Sequence, residues 1–241
     1  MRSDFLIHWT GKDIVQGVDK LADLQALRPD QEQALLQRLL NILTQGFRMN
    51  SPAEMVYSGT SGIAYHVPMV CLTEIKLSET FEHAKRYGLL GVAVDRKFVL
   101  ERYGGPVHYV RNHTKERVFG SLKDIGELEE TQKSPKLGEA FRYLLSFMKA
   151  MSNRDSDDFL FLDEHEWRLV FTGEQVKDGT VYQDPPTKQT RVRLQPLDVK
   201  LVVFPNTRTR DIAAQDPAVK KWFEDLKRPP IFLTIEECLH F

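Results

Sequence analysis

Hydrophobic residues along this chain follow two spacings, and each spacing predicts a different kind of element. Short apolar runs that end at glycine, proline or polar residues predict buried strands. Apolar positions three and four residues apart predict amphipathic helices. The predicted strands cover residues 5–10, 67–75, 89–94, 107–110, 167–172, 189–194, 201–204 and 231–235, and the predicted helices cover residues 29–44, 78–86, 97–103, 137–151 and 216–226.

Residues that favour helix ends mark several of these boundaries. Pro29 suits the first turn of the longest helix, and Gly46 follows its last apolar position, where a C-terminal cap belongs. Ser78 is predicted to cap the second helix, and Asp216 with Pro217 to begin the last one. The remaining stretches predict weak helix over 12–27 and a loop over 51–62. The most polar stretch covers 112–134, and its segment 127–130 is predicted to be a charged, solvated loop or helix.

The predicted helices and strands are mixed without the regular strand–helix–strand spacing of a doubly wound sheet. The chain contains no linker rich in glycine and serine, and it has no internal repeat. We therefore predict the α+β class, with one mixed domain over residues 1–241 in which helices pack on central strands. A chain of 241 residues buries enough surface to fold without a metal or a disulfide.

Charge and cysteine content narrow the range of functions. The formal net charge is −1, which argues against a dedicated duplex-DNA binder, although a local basic patch remains compatible with it. Such a cluster is formed by Arg208, Arg210, Lys220, Lys221, Lys227 and Arg228, with Arg191 and Arg193 as further candidates. It is either a solvated face or a contact for nucleic acid or an acidic partner protein. Two distant cysteines, no signal-peptide pattern and no long apolar run lead us to expect a reducing, cytoplasmic location.

Several common catalytic motifs are missing from the sequence. It has no Gly-rich phosphate loop, no dinucleotide fingerprint and no nucleophile elbow. Its cysteines and histidines do not have zinc-site spacing, so we expect no metal.

Three groups of segments, in their order along the chain, carry a family resemblance. They are His8-Trp9-Thr10 with the helix end at 39–47, the step Thr73-Glu74-Ile75-Lys76-Leu77-Ser78 with residues 83–93, and the step Glu166-Trp167-Arg168. This order resembles the AbiGi family of phage abortive-infection proteins over nearly the whole chain. The resemblance implies a role in phage defence. The family's label as an antitoxin implies a partner protein within a defence system.

A second resemblance concerns mechanism. ADP-ribosyltransferases of the His type begin with a strand carrying His-x-Thr, continue through a helix ending in an Ile-Leu-x-x-Gly-Phe step, and supply a catalytic Glu from a late strand. The matching residues here are His8, Thr10, Ile42, Leu43, Gly46 and Glu166. This resemblance implies an ADP-ribosyltransferase-like fold that uses NAD, with His8 and Glu166 as catalytic residues and Thr10 as a binding residue.

Other positions leave alternatives open. Thr73, Ser78 and Tyr87 all compete for the place that a middle-strand Ser or Tyr takes in such enzymes. Tyr57 and Tyr87 are the aromatic candidates to stack on nicotinamide. Arg168 shares a strand face with Glu166, either as a substrate contact or as a purely structural ion-pair partner.

Two hypotheses follow. In the first, the protein is an NAD-using enzyme with His8, Thr10 and Glu166 at its site. In the second, it is a non-enzymatic component that binds a partner protein or nucleic acid. A sequence-specific DNA-binding regulator is disfavoured because no helix-turn-helix pattern with a basic second helix is present. Convergence of His8, Tyr87, Glu166 and Arg168 on one cleft would favour the first hypothesis, and positions in separate packed regions would contradict it.

Overall fold

The computed structural model describes residues 5–58, 61–111, 117–153 and 156–241, which form strands and helices mixed along the chain. The strands are β1 (Phe5–Thr10), β2 (Phe47–Arg48), β3 (Glu54–Ser58), β4 (Ser61–Tyr65), β5 (Met69–Thr73), β6 (Leu90–Asp95), β7 (Gly105–Pro106), β8 (His108–Val110), β9 (Met148–Ala150), β10 (Ser152–Asn153), β11 (Ser156–Leu160), β12 (Glu166–Val170), β13 (Val181–Gln183), β14 (Thr190–Val192), β15 (Val199–Phe204) and β16 (Ile231–Thr234). The α-helices are α1 (Pro29–Gln45), α2 (Thr80–Tyr87), α3 (Arg96–Leu100), α4 (Arg117–Glu127), α5 (Glu129–Lys133), α6 (Pro135–Leu145), α7 (Gly173–Lys177), α8 (Thr207–Gln215), α9 (Pro217–Phe223) and α10 (Ile235–Cys238).

A central sheet organises the fold. Its strand order is β16-β15-β6-β1-β5-β12-β7, and only the β15/β16 pair is parallel. The predicted α+β class is therefore confirmed. The smaller pairings are β2 with β14 and β13, β3 with β4, β8 with β9, and β10 with β11. None of the helices within the described ranges is both long enough and apolar enough to cross a membrane.

The main hydrophobic core lies around the middle of this sheet. Strand β6 reads Leu-Gly-Val-Ala-Val before its terminal Asp, and its first five residues are all buried, as expected for a strand covered on both faces. Helix α1 contributes Leu35, Leu36, Leu39 and Leu43 to the same core. Each such side chain stabilises the fold by about 1.5–3 kcal/mol relative to leaving it in water. The helix that the sequence predicted most clearly thus supports the sheet behind β1.

The sheet is weakly joined at one place, between β1 and β5. These strands share a single register pair, Ile7 opposite Thr73, whereas β1 pairs β6 along its whole length. One residue beyond that pair, the His8 side chain bonds the backbone carbonyl of Cys71 across 2.9 Å. A side chain therefore takes the place of a backbone rung, and the strands separate into a cleft towards the end of β1.

Glycine is required at two helix ends that border this cleft. Gly46 ends α1 with φ of 81°, and its N–H donates to the carbonyl of Ile42. A Cβ at Gly46 would lie 1.9 Å from the carbonyl oxygen of Val192 on β14. Gly88 ends α2 with φ of 120°, and a Cβ there would lie 2.2 Å from the carbonyl oxygen of Thr10. Both backbones approach a neighbouring strand too closely for any side chain.

Several local predictions were wrong. Residues 51–62 were predicted as a loop, but β3 and β4 pair there from Glu54 opposite Tyr65 to Ser58 opposite Ser61. The helix predicted over 137–151 ends at Leu145, and the chain then forms β9 beside β8. Ser78 does not cap α2, because it lies in a 3₁₀ turn and Glu79 is the N-cap residue. Helix α8 was not predicted, because its short sequence has only a weak apolar face.

Candidate functional site

A cavity of about 280 Å³ lies at the opening between β1 and β5. Four of the predicted site residues line it: His8 from β1, Thr73 from β5, Tyr87 from α2 and Glu166 from β12. Its other lining residues are Ile7, Trp9, Arg48, Asn50, Pro52, Glu54, Met69, Val70, Cys71, Lys149 and Glu164. The structure thus brings together residues that lie up to 158 positions apart in the chain.

Glu166 is held in the cavity wall by two cations. Its carboxylate accepts from Arg168 Nε at 2.7 Å and from Lys149 Nζ at 2.7 Å, and its side chain is 3% exposed. Burial alone would raise the pKa of this carboxyl group, but the charges of Arg168 and Lys149 outweigh burial and lower it. Glu166 is therefore a carboxylate at neutral pH, suited to accept hydrogen bonds or to stabilise positive charge.

Arg168 stands behind Glu166 and does not line the cavity. Its guanidinium group also donates to Tyr65 Oη at 2.9 Å, the Ser146 carbonyl at 2.8 Å and Glu54 Oε2 at 3.1 Å. With the two bonds to Glu166, these use all five N–H groups of the fully buried arginine. Of the two alternatives for Arg168, the structure favours the ion-pair partner that positions Glu166.

A second carboxylate, Glu164, lies beside Glu166, and its pKa is shifted in the opposite direction. Lys149 Nζ bridges the two, at 2.7 Å from Glu164 Oε2 and 2.7 Å from Glu166 Oε2. Burial raises the pKa of Glu164 in spite of Lys149 and of a hydrogen bond from the Tyr87 hydroxyl. Two adjacent carboxyl groups with pKa values pushed apart are a recurrent arrangement for proton transfer.

His8 faces the cavity as a neutral imidazole. Loss of hydration on burial, reinforced by the charge of Arg38, lowers its pKa although the Cys71 carbonyl raises it. Because the Cys71 carbonyl can only accept, Nδ1 carries the proton in this bond. In the neutral ring, Nε2 is then an acceptor. The ring also packs edge-on against Phe47, with 5.0 Å between the ring centroids, which fixes its orientation.

The two threonines have partners within the chain. Thr73 Oγ1 accepts from Trp9 Nε1 at 3.2 Å and donates to the Ile7 carbonyl at 3.3 Å, so it ties β1 to β5. Thr10 Oγ1 accepts from Arg38 Nη1 at 3.0 Å and lines a second, adjoining cavity.

The remaining predicted residues lie away from the cavity. Ser78 is exposed and lines no cavity described here. Arg208 binds the buried Glu32 at 2.7 Å, and Arg210 binds Glu237 at 2.5 Å. Lys220 and Lys221 are exposed on α9. Arg208 and Arg210 of the predicted basic cluster are thus engaged within the chain. The side chain of Tyr57 lies outside the described part of the structure.

Sequence reasoning missed Lys149 and Glu164, and it missed Arg38 and Arg48 in the adjoining cavity. The signal for Glu164 was present, because Glu164 and Glu166 flank one residue at the start of a strand. The signal for Lys149 was hidden, since the helical spacing appeared to continue to residue 151. Among the residues that the structure describes, no cluster of three or more potential metal ligands occurs.

Comparison with known families gives the chain its assignment. A family described as "Putative abortive phage resistance protein AbiGi, antitoxin" matches residues 59–201, more than half of the chain. This chain belongs to the AbiGi family. Membership places it among the abortive-infection proteins of phage defence, and the family's description as an antitoxin implies a partner within a defence system. The matched range includes Thr73, Tyr87, Lys149, Glu164 and Glu166.

Other comparisons of this AbiGi-family chain are more distant. No curated protein matches it. Among solved structures, "Thermus sp. 2.9 DarT in complex with carba-NAD+" is similar with a TM-score of 0.34 and 10% identity, over 86% of this chain and 94% of that one. The same protein "in complex with NAD+" has a TM-score of 0.34 and 11% identity, over 83% and 92%. A likeness this distant assigns neither fold details nor an activity.

Proposed function

We propose that this AbiGi-family protein consumes NAD as a substrate in phage defence, breaking the bond between nicotinamide and ribose. The observation that carries the proposal is the convergence of His8, Tyr87 and Glu166 on one cavity. These residues come from three separate elements, and Glu166 is a buried carboxylate whose charge is maintained by two cations. Buried ionisable groups with shifted pKa values in a cleft are more common at functional sites than elsewhere.

Glu166 has the chemistry that this reaction needs. When the bond between C1′ of ribose and nicotinamide breaks, the electron pair leaves with nicotinamide and positive charge develops on the sugar. A preorganised carboxylate stabilises such charge most effectively where water is excluded. A water molecule or a target nucleophile then bonds to C1′ and loses a proton. Glu164, whose pKa is raised, is the group in the cavity suited to take up that proton.

His8 and Tyr87 have binding roles in this proposal. The Nε2 atom of His8 is a fixed acceptor for a ribose hydroxyl or an amide N–H. The ring of Tyr87 is held by its hydroxyl bond to Glu164 and offers an aromatic face to a planar ligand group. The cavity combines apolar walls with a few polar groups, as ligand sites do, and its volume of about 280 Å³ is just below their usual range of about 300 to 1,000 Å³.

Nicotinamide release from NAD by the purified chain tests the proposal. We expect release by the wild type and a loss of about 100-fold or more in kcat for Glu166→Gln, since removing one electrostatic stabiliser typically costs this much. Glu74→Gln is the matched control. Glu74 is also an ion-paired carboxylate next to the sheet, bound to Arg96 at 2.6 Å, but it does not line the cavity.

The outcomes are distinct. Release by the wild type and by Glu74→Gln, but not by a folded Glu166→Gln, supports the proposal. If the wild type neither binds nor cleaves NAD at millimolar concentration, the proposal is wrong. Circular dichroism and thermal unfolding of all three proteins separate loss of function from loss of fold.

A non-enzymatic antitoxin role is the second candidate. The family description favours it, and so does a pair of exposed leucines seven residues apart on one face of α6, Leu137 and Leu144. In this case the cavity network would serve only stability. Phage defence in cells that carry the complete defence system should then survive Glu166→Gln but not Leu137→Glu with Leu144→Glu.

A further inference from the structure

A second cavity, of about 330 Å³, adjoins the Glu166 cavity and has a different electrostatic character. His8, Arg48 and Asn50 line both cavities, so the two adjoin and share a wall, and together they make up the cleft. The second cavity lies between the end of α1 and the strand pair β2/β14. Three arginines line it: Arg38 from α1, Arg48 from β2 and Arg191 from β14.

The charges of these arginines are largely uncompensated. Arg38 pairs with Asp13 at 2.6 Å, and Asp13 is the carboxylate among the lining residues. Three cations and one anion give this cavity a formal charge of +2. The residues that line the Glu166 cavity include Glu54, Glu164 and Glu166 against Lys149 and the shared Arg48, which gives a formal charge of −1. A cleft with opposite charge at its two ends fits a ligand whose ends also differ in charge.

Arg48 and Arg191 are placed together by backbone pairing. They are directly opposite each other across β2 and β14, so both side chains leave the same face, while Phe47 and Val192 are buried on the other. Like charges in this position destabilise a strand pair. Within the part of the chain that the structure describes, neither arginine pairs with a carboxylate. Arg191 Nη2 donates to Gln189 Oε1 at 3.0 Å, but Gln189 is neutral and does not compensate the charge of the arginine.

Two residues that line this cavity carry N–H groups without a hydrogen-bond partner among the described residues. Arg191 Nε is buried and has no hydrogen-bond partner among the described residues. Asn41 accepts from Gln37 at 3.1 Å through its carbonyl oxygen, which leaves its amide N–H₂ to donate. A buried donor without a partner is costly unless something absent from the free chain satisfies it.

We propose that this arginine cavity is the phosphate subsite of the cleft and binds the diphosphate group of a nucleotide. Guanidinium groups bind phosphate oxygens in a bidentate manner, and three of them around one cavity match a group with several anionic oxygens. Only the orientation of the ligand in this inference rests on the proposed function. The diphosphate lies beside Arg38, Arg48 and Arg191, and the reacting sugar lies beside Glu166.

The proposal is tested by calorimetry on the full chain with inorganic pyrophosphate, ADP-ribose and NAD as separate probes. We expect pyrophosphate to bind and its affinity to fall as salt is raised. Arg48→Gln is expected to weaken ADP-ribose binding at least about tenfold, the range for loss of a charge-assisted bond. Arg193→Gln is the matched control, because Arg193 is on the same strand region but lies over the Tyr182 ring at 4.3 Å, outside the cavity.

The results separate the subsite from the reaction. If pyrophosphate and ADP-ribose bind through Arg48 but NAD is not cleaved, the subsite stands and the proposed reaction is wrong. If NAD is cleaved and Arg48→Gln leaves KM unchanged, the reaction stands and the subsite is wrong. The subsite is also wrong if pyrophosphate fails to bind, or if Arg193→Gln weakens binding as much as Arg48→Gln does.

Discussion

Replacing Arg168 with methionine tests whether the buried charge network holds the cavity wall together. Methionine keeps much of the apolar volume of the arginine stem and removes the guanidinium group. Arg168 is fully buried, and its five N–H groups reach Glu166, Tyr65, Ser146 and Glu54. The substitution therefore leaves Glu166 as a buried carboxylate with one cation instead of two.

The expected destabilisation follows from the loss of the ion pair between Arg168 and Glu166. Breaking a buried ion pair by removing one partner typically destabilises a protein by about 3–5 kcal/mol. Lys149 remains 2.7 Å from Glu166 after the change, so we expect the lower end, about 3 kcal/mol. The free energy of unfolding, measured by urea denaturation at pH 7, gives the value. Arg28→Met, which breaks a fully exposed pair with Asp30, is expected to cause no measurable change.

Acid should partly rescue Arg168→Met. Removing the guanidinium group raises the pKa of Glu166 in the folded variant above its wild-type value, because one of the two cations that oppose the effect of burial is lost. The folded variant therefore takes up a proton at higher pH than the folded wild type does, so its destabilisation relative to the wild type is largest at neutral pH and diminishes as pH falls. Adding Glu166→Gln should also recover stability at pH 7. If Arg168→Met lowers the free energy of unfolding by less than about 1 kcal/mol, as expected for an exposed ion pair, the reasoning is refuted.

Two further predictions concern positions around the cleft. Gly46→Ala should lower the free energy of unfolding by at least about 2 kcal/mol, because the residue has φ of 81° and the new Cβ would meet the Val192 carbonyl. Gly120→Ala in α4 meets nothing within 4 Å and should raise the free energy of unfolding by up to about 1 kcal/mol. Equal shifts in melting temperature for the two variants would contradict this prediction. Burial, helped by Arg86, lowers the pKa of His83 to about 4, so the wild type should lose up to about 3 kcal/mol between pH 6.5 and 4 as the unfolded histidine takes up a proton. The unfolding free energy of His83→Gln should fall less steeply over that range, and parallel pH profiles would count against the assignment.

Local sequence was sufficient for elements whose stability depends on their own pattern. Strand β1 was predicted at its observed bounds, Phe5–Thr10, and α1 to within a residue of its end. Apolar spacing and the helix-end residues Pro29 and Gly46 each act on the few residues around them, so local sequence contains the information for these elements. The loop predicted over 51–62 was wrong because β3 and β4 pair with each other there, and pairing between strands is not contained in the local pattern of either one.

The candidate site was likewise only partly predictable from the sequence. The sequence indicated His8, Tyr87 and Glu166 by residue type and by resemblance, and their roles stay predictions. It could not indicate Lys149, because the chain leaves α6 at Leu145 and only the pairing of β9 with β8 turns this lysine towards the two carboxylates.

The sequence by itself determined the mixed α+β class, the family resemblance and the residue types available for chemistry, since these depend on local pattern and order. Only the tertiary structure decided which charges meet. Arg208 and Arg210 were available for a partner by sequence, but folding commits them to Glu32 and Glu237. Arg48 and Arg191 are separated by 143 positions, yet strand pairing places them side by side without a carboxylate in the described structure. Electrostatic energy depends on distance in space and on burial, and neither can be obtained from separation along the chain.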